Sequence, residues 1–374
     1  MGSVLAVVAF LALILLVVIP VHELGHLLVA KRFGFKATEY FVGFGPRLWS
    51  VRRGETEYGV KAIPAGGYVK ITGMNPYEPV APEDLPRAYG SKPIWQRALV
   101  ILAGPLSHLL VGALLYFALF STYGDPYTER VVVGEVSREL RGTPSPASEA
   151  GLRAGDVLVR VGDLRDPTPQ SLSPYVTRFA EEHPGRPLPY VVERDGRLET
   201  LRIVPRLVTE DEVTTGRVGF LLGPEKLGPV EAAVVGVRWV GTATWNSVVT
   251  IPRIFTVGVG RTFAVLLGDE PRRPGDVTSL VGVSRQVGEA GGQGDWAMFL
   301  LMAAYVTVFV GVVNLIPLPP LDGGHLLLLA WEKVTGRPAD YRRLVPVSAT
   351  VIAFLSVFAI ATMVLDITEP LPVI

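Results

Sequence analysis

Long apolar stretches constrain this chain more than any other feature of its sequence. The first 21 residues carry no charged side chain. A helix needs about 20 mainly apolar residues to cross the hydrocarbon core of a bilayer. Four stretches meet this requirement, so the sequence predicts a polytopic α-helical membrane protein with four transmembrane helices. They cover Met1 to about Ala30, about Ala98 to Phe120, Trp296 to about Leu315, and Leu344 to Leu365.

Basic side chains near the ends of these stretches predict the orientation. No Lys or Arg precedes Lys31, so the first stretch lacks the basic start of a signal peptide and is predicted to be a retained helix. Basic residues accumulate in cytoplasmic loops. Both basic loops are therefore predicted to be cytoplasmic, with both termini and residues 122–294 outside the cytoplasm. The residues that carry this prediction are Lys31, Arg32, Lys36, Lys92, Arg97, Lys333, Arg337, Arg342 and Arg343.

The net charge and the absence of cysteine limit the possible partners and metal ligands. The formal net charge of the 374 residues is zero, so no global positive field points to a nucleic-acid partner. The chain contains no Cys, so any metal ion would be held by His, Asp or Glu.

Changes in composition along the chain divide it into four regions. The first contains two helices and, over 39–72, short β-strands with a turn at 53–55. The second is soluble and rich in short strands. The third is a linker whose apolar part, 229–267, carries charged residues and is predicted to be an interfacial amphipathic helix rather than a fifth span. The fourth contains the last two helices. The regions are 1–121, 129–207, 208–294 and 295–374.

The first apolar stretch ends in VHELGH, which places Glu23 between His22 and His26. On a helix, two histidines four residues apart share a face and can bind one Zn²⁺, while the Glu reaches the water on the metal. The alternative is a chance group at the membrane boundary whose polar ends reach water. Ionisable residues inside a span are costly, so three together favour a functional site.

A second polar group follows the third apolar stretch. Residues 314–325, NLIPLPPLDGGH, break the helix with three prolines and then present Asp322. A catalytic zinc usually needs a third protein ligand. Broken helices at membrane depth are tolerated only where they are buried in protein or line a wet cavity. Asp322 could reach a metal held by the first helix, or it could cap the helix that follows; the sequence leaves both roles open.

HELGH, an intervening domain and N-x-x-P-x-P-x-L-D-G, in this order, resemble the site-2 protease family of intramembrane zinc metalloproteases over nearly the whole chain. The resemblance implies one Zn²⁺ per chain, held by His22, His26 and Asp322. It implies that Glu23 is the general base and that Asn314 helps to hold the substrate backbone or the oxyanion.

The same resemblance implies a partner and a location. Bacterial members cut single-span membrane proteins, such as anti-sigma factors that a site-1 protease has already trimmed. The chain is therefore expected in a bacterial inner membrane, with its active site near the cytoplasmic face. Residues 39–72 are expected to form a membrane-associated β-hairpin that contacts the substrate through Gly66, Gly67 and Tyr68.

The soluble region resembles a PDZ domain. Residues 146–156, PASEAGLRAGD, match the A-x-x-A-G-L-x-x-G-D signature, which implies one extracytoplasmic α+β PDZ domain over 129–207. This turn can also serve stability alone. Residues 132–136 match a carboxylate-binding loop only weakly, so we expect the domain to gate the substrate or bind a partner rather than to capture a C-terminus.

Two further histidines lie near these motifs. Residues 104–108 resemble a family G-P-x-x-N element, with His108 in place of Asn. This exchanges one hydrogen-bonding side chain for another, or it brings an extra imidazole near zinc. His325 follows Asp322 by three residues and is expected beside the ligands rather than among them.

Two other classes of protein compete with the protease. One is a catalytically silent membrane scaffold that recruits partners through the PDZ unit. The other is a transporter, because broken helices and intramembrane acids occur there too. The intact HELGH and LDG motifs disfavour the scaffold, and the lack of visible inverted repeats disfavours the transporter.

Overall fold

The computed structural model describes residues 2–75, 77–126, 128–210, 213–337 and 344–371. Arg342 and Arg343, which contribute to the predicted orientation, lie outside the described residues. The chain divides into two compact units, one of Met1–Ala118 with Val234–Ile374 and one of Leu119–Ala233.

Most of the helices belong to the first unit. They are α1 (Gly2–Leu13), α2 (Ile19–Arg32), α3 (Ile94–Tyr123), α4 (Pro146–Glu149), α5 (Pro169–Glu182), α6 (Pro229–Arg253), α7 (Val259–Leu266), α8 (Leu280–Gly292), α9 (Trp296–Val313), α10 (Asp322–Thr335) and α11 (Val345–Thr368). Helices α1 and α2 are joined by the π-helical segment Ile14–Val18, and α6 and α7 by Ile254–Gly258.

Five helical segments among the described residues are long and apolar enough to cross a membrane. Four of them coincide with the predicted spans. The additional segment, Pro229–Leu266, is the one that the sequence predicts as an interfacial helix. Length and composition therefore admit one crossing more than the four predicted. The other segments are Gly2–Arg32, Ile94–Tyr123, Trp296–Val313 and Val345–Thr368.

Small residues bring α8 against α1. A Cβ atom added at Gly288 would lie 2.5 Å from a methyl carbon of Val7, and one at Gly291 would lie 2.5 Å from the Ala6 Cβ. The helix backbones can approach this closely only because these positions have no side chain. The contact holds the N-terminal helix that continues into α2.

The predicted strands of 39–72 are found as β1 (Ala37–Arg53) and β2 (Thr56–Ile71), which pair antiparallel. Both strands bend, so the pairing forms four short segments in the order 47–53, 56–61, 37–42 and 67–71. Among the described strand pairs, segment 67–71 is paired on one side only, which makes it an edge strand. Its unpaired side lies next to Glu23.

The second unit is built around an antiparallel sheet of order β12-β3-β6-β8-β9, with β7 paired to β6. Strand β3 lies between β12 and β6, and its pairing with β6 covers only Val131 and Val132. The unit also extends past 207, because the end of β10 and all of β11 and β12 lie where the sequence predicts a linker. The strands are β3 (Val131–Val136), β4 (Glu139–Leu140), β5 (Thr143–Pro144), β6 (Val157–Val161), β7 (Leu164–Arg165), β8 (Leu188–Arg194), β9 (Arg197–Ile203), β10 (Arg206–Glu210), β11 (Val213–Arg217) and β12 (Phe220–Leu222).

The A-x-x-A-G-L-x-x-G-D stretch forms a tight turn after α4. Gly151 and Gly155 have φ values of +76° and +92°, in the left-handed region that favours glycine. Asp156 is buried and accepts two hydrogen bonds from Arg194, at 2.7 and 2.6 Å. A buried carboxylate is costly unless it is paired in this way. The stretch therefore contributes to the stability of the unit, as the sequence allows.

Candidate active site

Helix α2 places His22 and His26 on one face, as the HELGH spacing predicts. Both side chains are buried, and their Nε2 atoms are 3.1 Å apart. The Nδ1 atom of His26 is 2.7 Å from the Val100 carbonyl oxygen. A neutral His26 that donates its Nδ1 proton to this carbonyl keeps a lone pair on Nε2, which is the form that binds a metal.

Glycines allow α3 to approach the histidines. A Cβ atom added at Gly25 would lie 2.5 Å from the Ala103 carbonyl oxygen. One added at Gly104 would lie 2.4 Å from His26 Nε2 and 2.7 Å from His22 Cε1. Real Cβ atoms do not make such contacts, so the two imidazoles occupy the space that a side chain at Gly104 would fill.

The broken segment brings Asp322 to the same place. Its Oδ2 atom is 3.2 Å from His22 Nε2 and 3.5 Å from His26 Nε2. The N-cap of α10 is Leu321, and it makes no side-chain cap. Asp322 is therefore not the capping residue, and of the two roles that the sequence leaves open, the geometry favours the inward one.

Two glycines and three prolines shape this segment. A Cβ atom added at Gly323 would lie 2.2 Å from the carbonyl oxygens of Leu315 and Ile316. The Gly323 amide donates to the Asn314 carbonyl at 2.7 Å, which closes the loop between α9 and α10. Asn314 is the C-cap residue of α9. The tight loop thereby fixes Asp322 at the first position of the next helix.

The three side chains fit a metal ion. The nitrogen and oxygen atoms that they offer all lie within 4.8 Å of one another. Oδ2 of Asp322 is buried and receives no hydrogen bond of ordinary geometry from the described residues. Two imidazole lone pairs and a carboxylate oxygen that face each other without protons repel, and a cation between them removes this repulsion. Two nitrogens and one oxygen form a donor set typical of catalytic zinc.

Glu23 lies between the histidines and the β-hairpin. The backbone amide of Val69 lies beside its carboxylate. A Cβ atom added at Gly67 would lie 3.3 Å from the Glu23 Cγ and 3.1 Å from the Phe41 carbonyl oxygen. The edge segment 67–71 therefore borders Glu23 directly, and only glycine at 67 fits without displacing a neighbour.

The other hairpin residues that the sequence predicts, Gly66 and Tyr68, lie beside or within segment 67–71. Gly66 has a φ of +139°, which a side chain rarely permits. The Tyr68 hydroxyl accepts a hydrogen bond from Lys61 at 2.9 Å and donates one to Glu39 at 2.6 Å. Burial, together with Glu39, raises the pKa of Tyr68 above its usual value, so the hydroxyl stays protonated.

A cavity of about 550 Å³ lies beside this segment. Residues 68–71 form one wall, and Pro319, Pro320, Gly324 and His325 contribute to another. His325 thus lies near the predicted ligands without joining the group of three. His108 is buried on α3, with its Nε2 atom 3.0 Å from His22 Nδ1.

The sequence does not reveal Tyr40, whose position depends on how the hairpin packs. Its hydroxyl donates to the Pro20 carbonyl at 2.8 Å, two residues before His22 and just after the π-helical segment. Burial, with Glu23 nearby, raises the pKa of Tyr40 to about 12, so the hydroxyl remains a donor at neutral pH. The hydrogen bond ties β1 to the helix that carries HELGH.

A side chain at position 104 should displace the two imidazoles. Gly104→Ala should push both imidazoles away from Asp322 and lower zinc affinity about ten-fold or more, the range typical when the support of a metal ligand is lost. Competition with a chromophoric chelator on detergent-solubilised protein measures the change. Gly112→Ala, which adds a methyl group to the same helix against Val308, is the matched control. Equal affinities for wild type and Gly104→Ala would contradict the arrangement.

Comparison with known proteins identifies the family. The sequence pattern of Peptidase family M50 matches residues 10–359. The zinc metalloprotease Rip1 of Mycobacterium tuberculosis is 34% identical over 404 aligned residues, which cover 97% of this chain and 98% of the relative. Its namesake from Mycobacterium bovis is equally similar, and the one from Mycolicibacterium smegmatis is 30% identical with 98% of each chain covered. The chain belongs to Peptidase family M50, the site-2 protease family, and is a multi-pass membrane protein and a zinc metalloprotease.

Proposed function

We propose that this protein hydrolyses a peptide bond in or near the transmembrane segment of single-span membrane proteins. The observation that carries the proposal is the convergence of His22, His26 and Asp322, with Glu23 beside them. The two histidines lie on a helical segment long enough to cross a membrane, and Asp322 follows another such helix after a short loop. Soluble proteases do not need such a scaffold, whereas a protease whose substrate lies in the bilayer does.

The zinc ligands in this proposal are His22, His26 and Asp322. Bound there, the ion supplies Lewis-acid polarisation of the scissile carbonyl and makes water more acidic. Three protein ligands would leave a further position for water or substrate, as in other catalytic zinc sites. The Val100 carbonyl holds the His26 ring in the orientation that this role requires.

Glu23 is the proposed general base. It takes a proton from the attacking water and delivers it to the nitrogen of the leaving amine. The Val69 amide keeps the carboxylate turned toward the edge segment, where the substrate is expected. Asn314, at the start of the closed loop, is the proposed contact for the substrate backbone or the oxyanion.

Segment 67–71 is the proposed substrate clamp. A helical substrate hides its backbone in internal hydrogen bonds and must unwind before it can be cut. The unwound strand then adds to the free edge of the hairpin, because edge strands present unpaired amide and carbonyl groups. Gly66, Gly67 and Tyr68 would line its path, and the cavity beside them gives room for it and for water.

The proposed location is a bacterial inner membrane, with the active site near the cytoplasmic face. Both termini and the second unit would then lie outside the cytoplasm, according to the basic residues near the helix ends. Four helices would cross the membrane, and Pro229–Leu266 would lie at the interface, because it carries Glu231, Arg238, Arg253 and Arg261.

The second unit is proposed to be a PDZ domain that gates access or binds a partner. Its sheet has an edge at β12, and a cavity of about 420 Å³ lies between this strand and α5. Strand addition is the usual way in which PDZ domains bind peptides. The family resemblance supports an anti-sigma factor, already trimmed by a site-1 protease, as the substrate.

A proline substitution in the clamp should reduce cleavage without reducing metal binding. Val69→Pro removes the amide beside Glu23 and breaks the edge that pairs with substrate. We expect cleavage of a single-span substrate to fall at least ten-fold while bound zinc stays at one ion per chain, as measured by gel assay and elemental analysis. Ser50→Pro, on the opposite edge segment, is the matched control. Unchanged cleavage in Val69→Pro would argue against the clamp.

Loss of the base should reveal the substrate. Glu23→Gln keeps the shape of the side chain but removes the proton acceptor, so zinc should stay bound while cleavage stops. In cells, a partly trimmed single-span protein should accumulate, and proteomics of membrane fragments would detect it. Glu55→Gln, at the turn of the hairpin, serves as a control. Normal turnover of membrane proteins in the Glu23→Gln strain would oppose the proposal.

The proposed topology can be tested with single cysteines, because the chain contains none. Arg197→Cys and Asp269→Cys lie on either side of Pro229–Leu266 and are exposed. Both should react with a membrane-impermeant maleimide from outside the cytoplasm, whereas Glu83→Cys should not. Opposite labelling of the first two would show that Pro229–Leu266 crosses the membrane.

A further inference from the structure

We infer that His108 is a positioning residue that fixes the tautomer and the ring orientation of His22. This inference rests on the proposed role of His22 as a zinc ligand. It assigns a function to the position at which this chain has His in place of the Asn of the G-P-x-x-N element.

The contact between the two histidines is direct and buried. His108 is 2% exposed, and its Nε2 atom is 3.0 Å from the Nδ1 atom of His22. The ring centroids are 5.0 Å apart, and the rings are tilted by 58°, so the contact runs edge to edge rather than face to face. Water has little access to this pair, which makes a hydrogen bond between them the main way to satisfy both nitrogens.

The direction of the hydrogen bond follows from the metal side of His22. Its Nε2 atom faces the other proposed ligands, 3.2 Å from Asp322 and 3.1 Å from His26. A neutral imidazole that offers Nε2 to a metal carries its proton on Nδ1. That proton points at His108, so the Nε2 atom of His108 accepts it, and the proton of His108 resides on its own Nδ1.

The two proposed ligands are therefore held in the same way by different groups. His26 donates from Nδ1 to the Val100 carbonyl, and His22 donates from Nδ1 to His108. Such partners orient a ligating imidazole and increase its basicity. The same geometry argues against ligation by His108, because it lies behind the His22 ring, on the side away from Asp322.

Helix α9 keeps the His108 ring in place. A Cβ atom added at Gly311 would lie 2.6 Å from the His108 Cβ and 3.2 Å from the Pro105 carbonyl oxygen. One turn along the same pair of helices, a Cβ atom added at Gly112 would instead meet Val308, at 2.5 Å. Methyl groups at 311 and 112 thus disturb the same helix interface, but only the first touches His108.

The test compares four variants in full-length, detergent-solubilised protein loaded with zinc. His108→Leu removes the acceptor and should lower zinc affinity about 10-fold to 100-fold in chelator competition. His108→Gln restores a carbonyl acceptor and should recover most of the affinity. Gly311→Ala should weaken zinc binding as His108→Leu does, and Gly112→Ala should not.

A second readout replaces zinc with Co²⁺. The visible absorption bands of Co²⁺ report the ligands and their geometry. His108→Leu and Gly311→Ala should change the band positions without reducing the number of ligands, whereas Gly112→Ala should leave them unchanged. Bands that show one ligand fewer in His108→Leu would mean that His108 binds the metal itself, which would overturn the inference.

The effect of His22→Ala distinguishes a wrong ligand set from a wrong role for His108. If His22→Ala leaves zinc affinity unchanged, the proposed ligand set is wrong. If His22→Ala abolishes binding while His108→Leu, Gly311→Ala and wild type bind equally well, only the role of His108 is wrong. Equal loss in Gly311→Ala and Gly112→Ala would likewise assign the effect to helix packing and overturn the inference.

Discussion

The close approach of α2 and α3 is the contact on which the site depends. Helices normally pack with their axes about 8–10 Å apart, at a distance set by the side chains between them. At Gly25 and Gly104 no side chain intervenes, and the two histidines of α2 fill the space instead. This contact brings the Val100 carbonyl and the His108 ring behind the imidazoles, so a single helix pair supplies the histidines and their support.

The loop from Asn314 to Gly323 brings the Asp322 carboxylate to the two histidines. A continuous helix would carry Asp322 about 12 Å beyond Asn314, at 1.5 Å per residue. The prolines interrupt the helix, and the hydrogen bond from Gly323 to Asn314 folds the chain back. The carboxylate can then face the imidazoles, where a divalent cation would balance its charge in surroundings that otherwise disfavour it.

Much of the fold and of the site could be predicted because the responsible signals are local. The HELGH spacing places His22 and His26 on one face of any helix, and apolar length alone predicts four of the five long helices. The contacts behind the proposed ligands could not be predicted, since Val100, Tyr40 and Val69 reach the site through packing and strand register rather than through spacing. Asp322 remained ambiguous for the same reason, because the choice between capping and facing inward depends on how tightly the loop closes.

The C-terminal boundary of the second unit could not be predicted from composition. Strand β12 completes the sheet on the far side of β3, although a hairpin of polar residues separates it from the preceding strands. A strand of three residues gives too weak an alternating pattern to be recognised, so its place in the sheet depends on its partner, β3.

The edge segment 67–71 has a consequence for selectivity. A strand edge recognises amide and carbonyl groups, which every peptide has, and so it discriminates poorly among side chains. With the proposed clamp, selection would act earlier, on the ease with which a transmembrane helix gives up its internal hydrogen bonds. Helix-destabilising residues such as glycine, proline and asparagine near the scissile bond lower that cost. The enzyme would thus read the local fragility of a membrane helix rather than a consensus sequence.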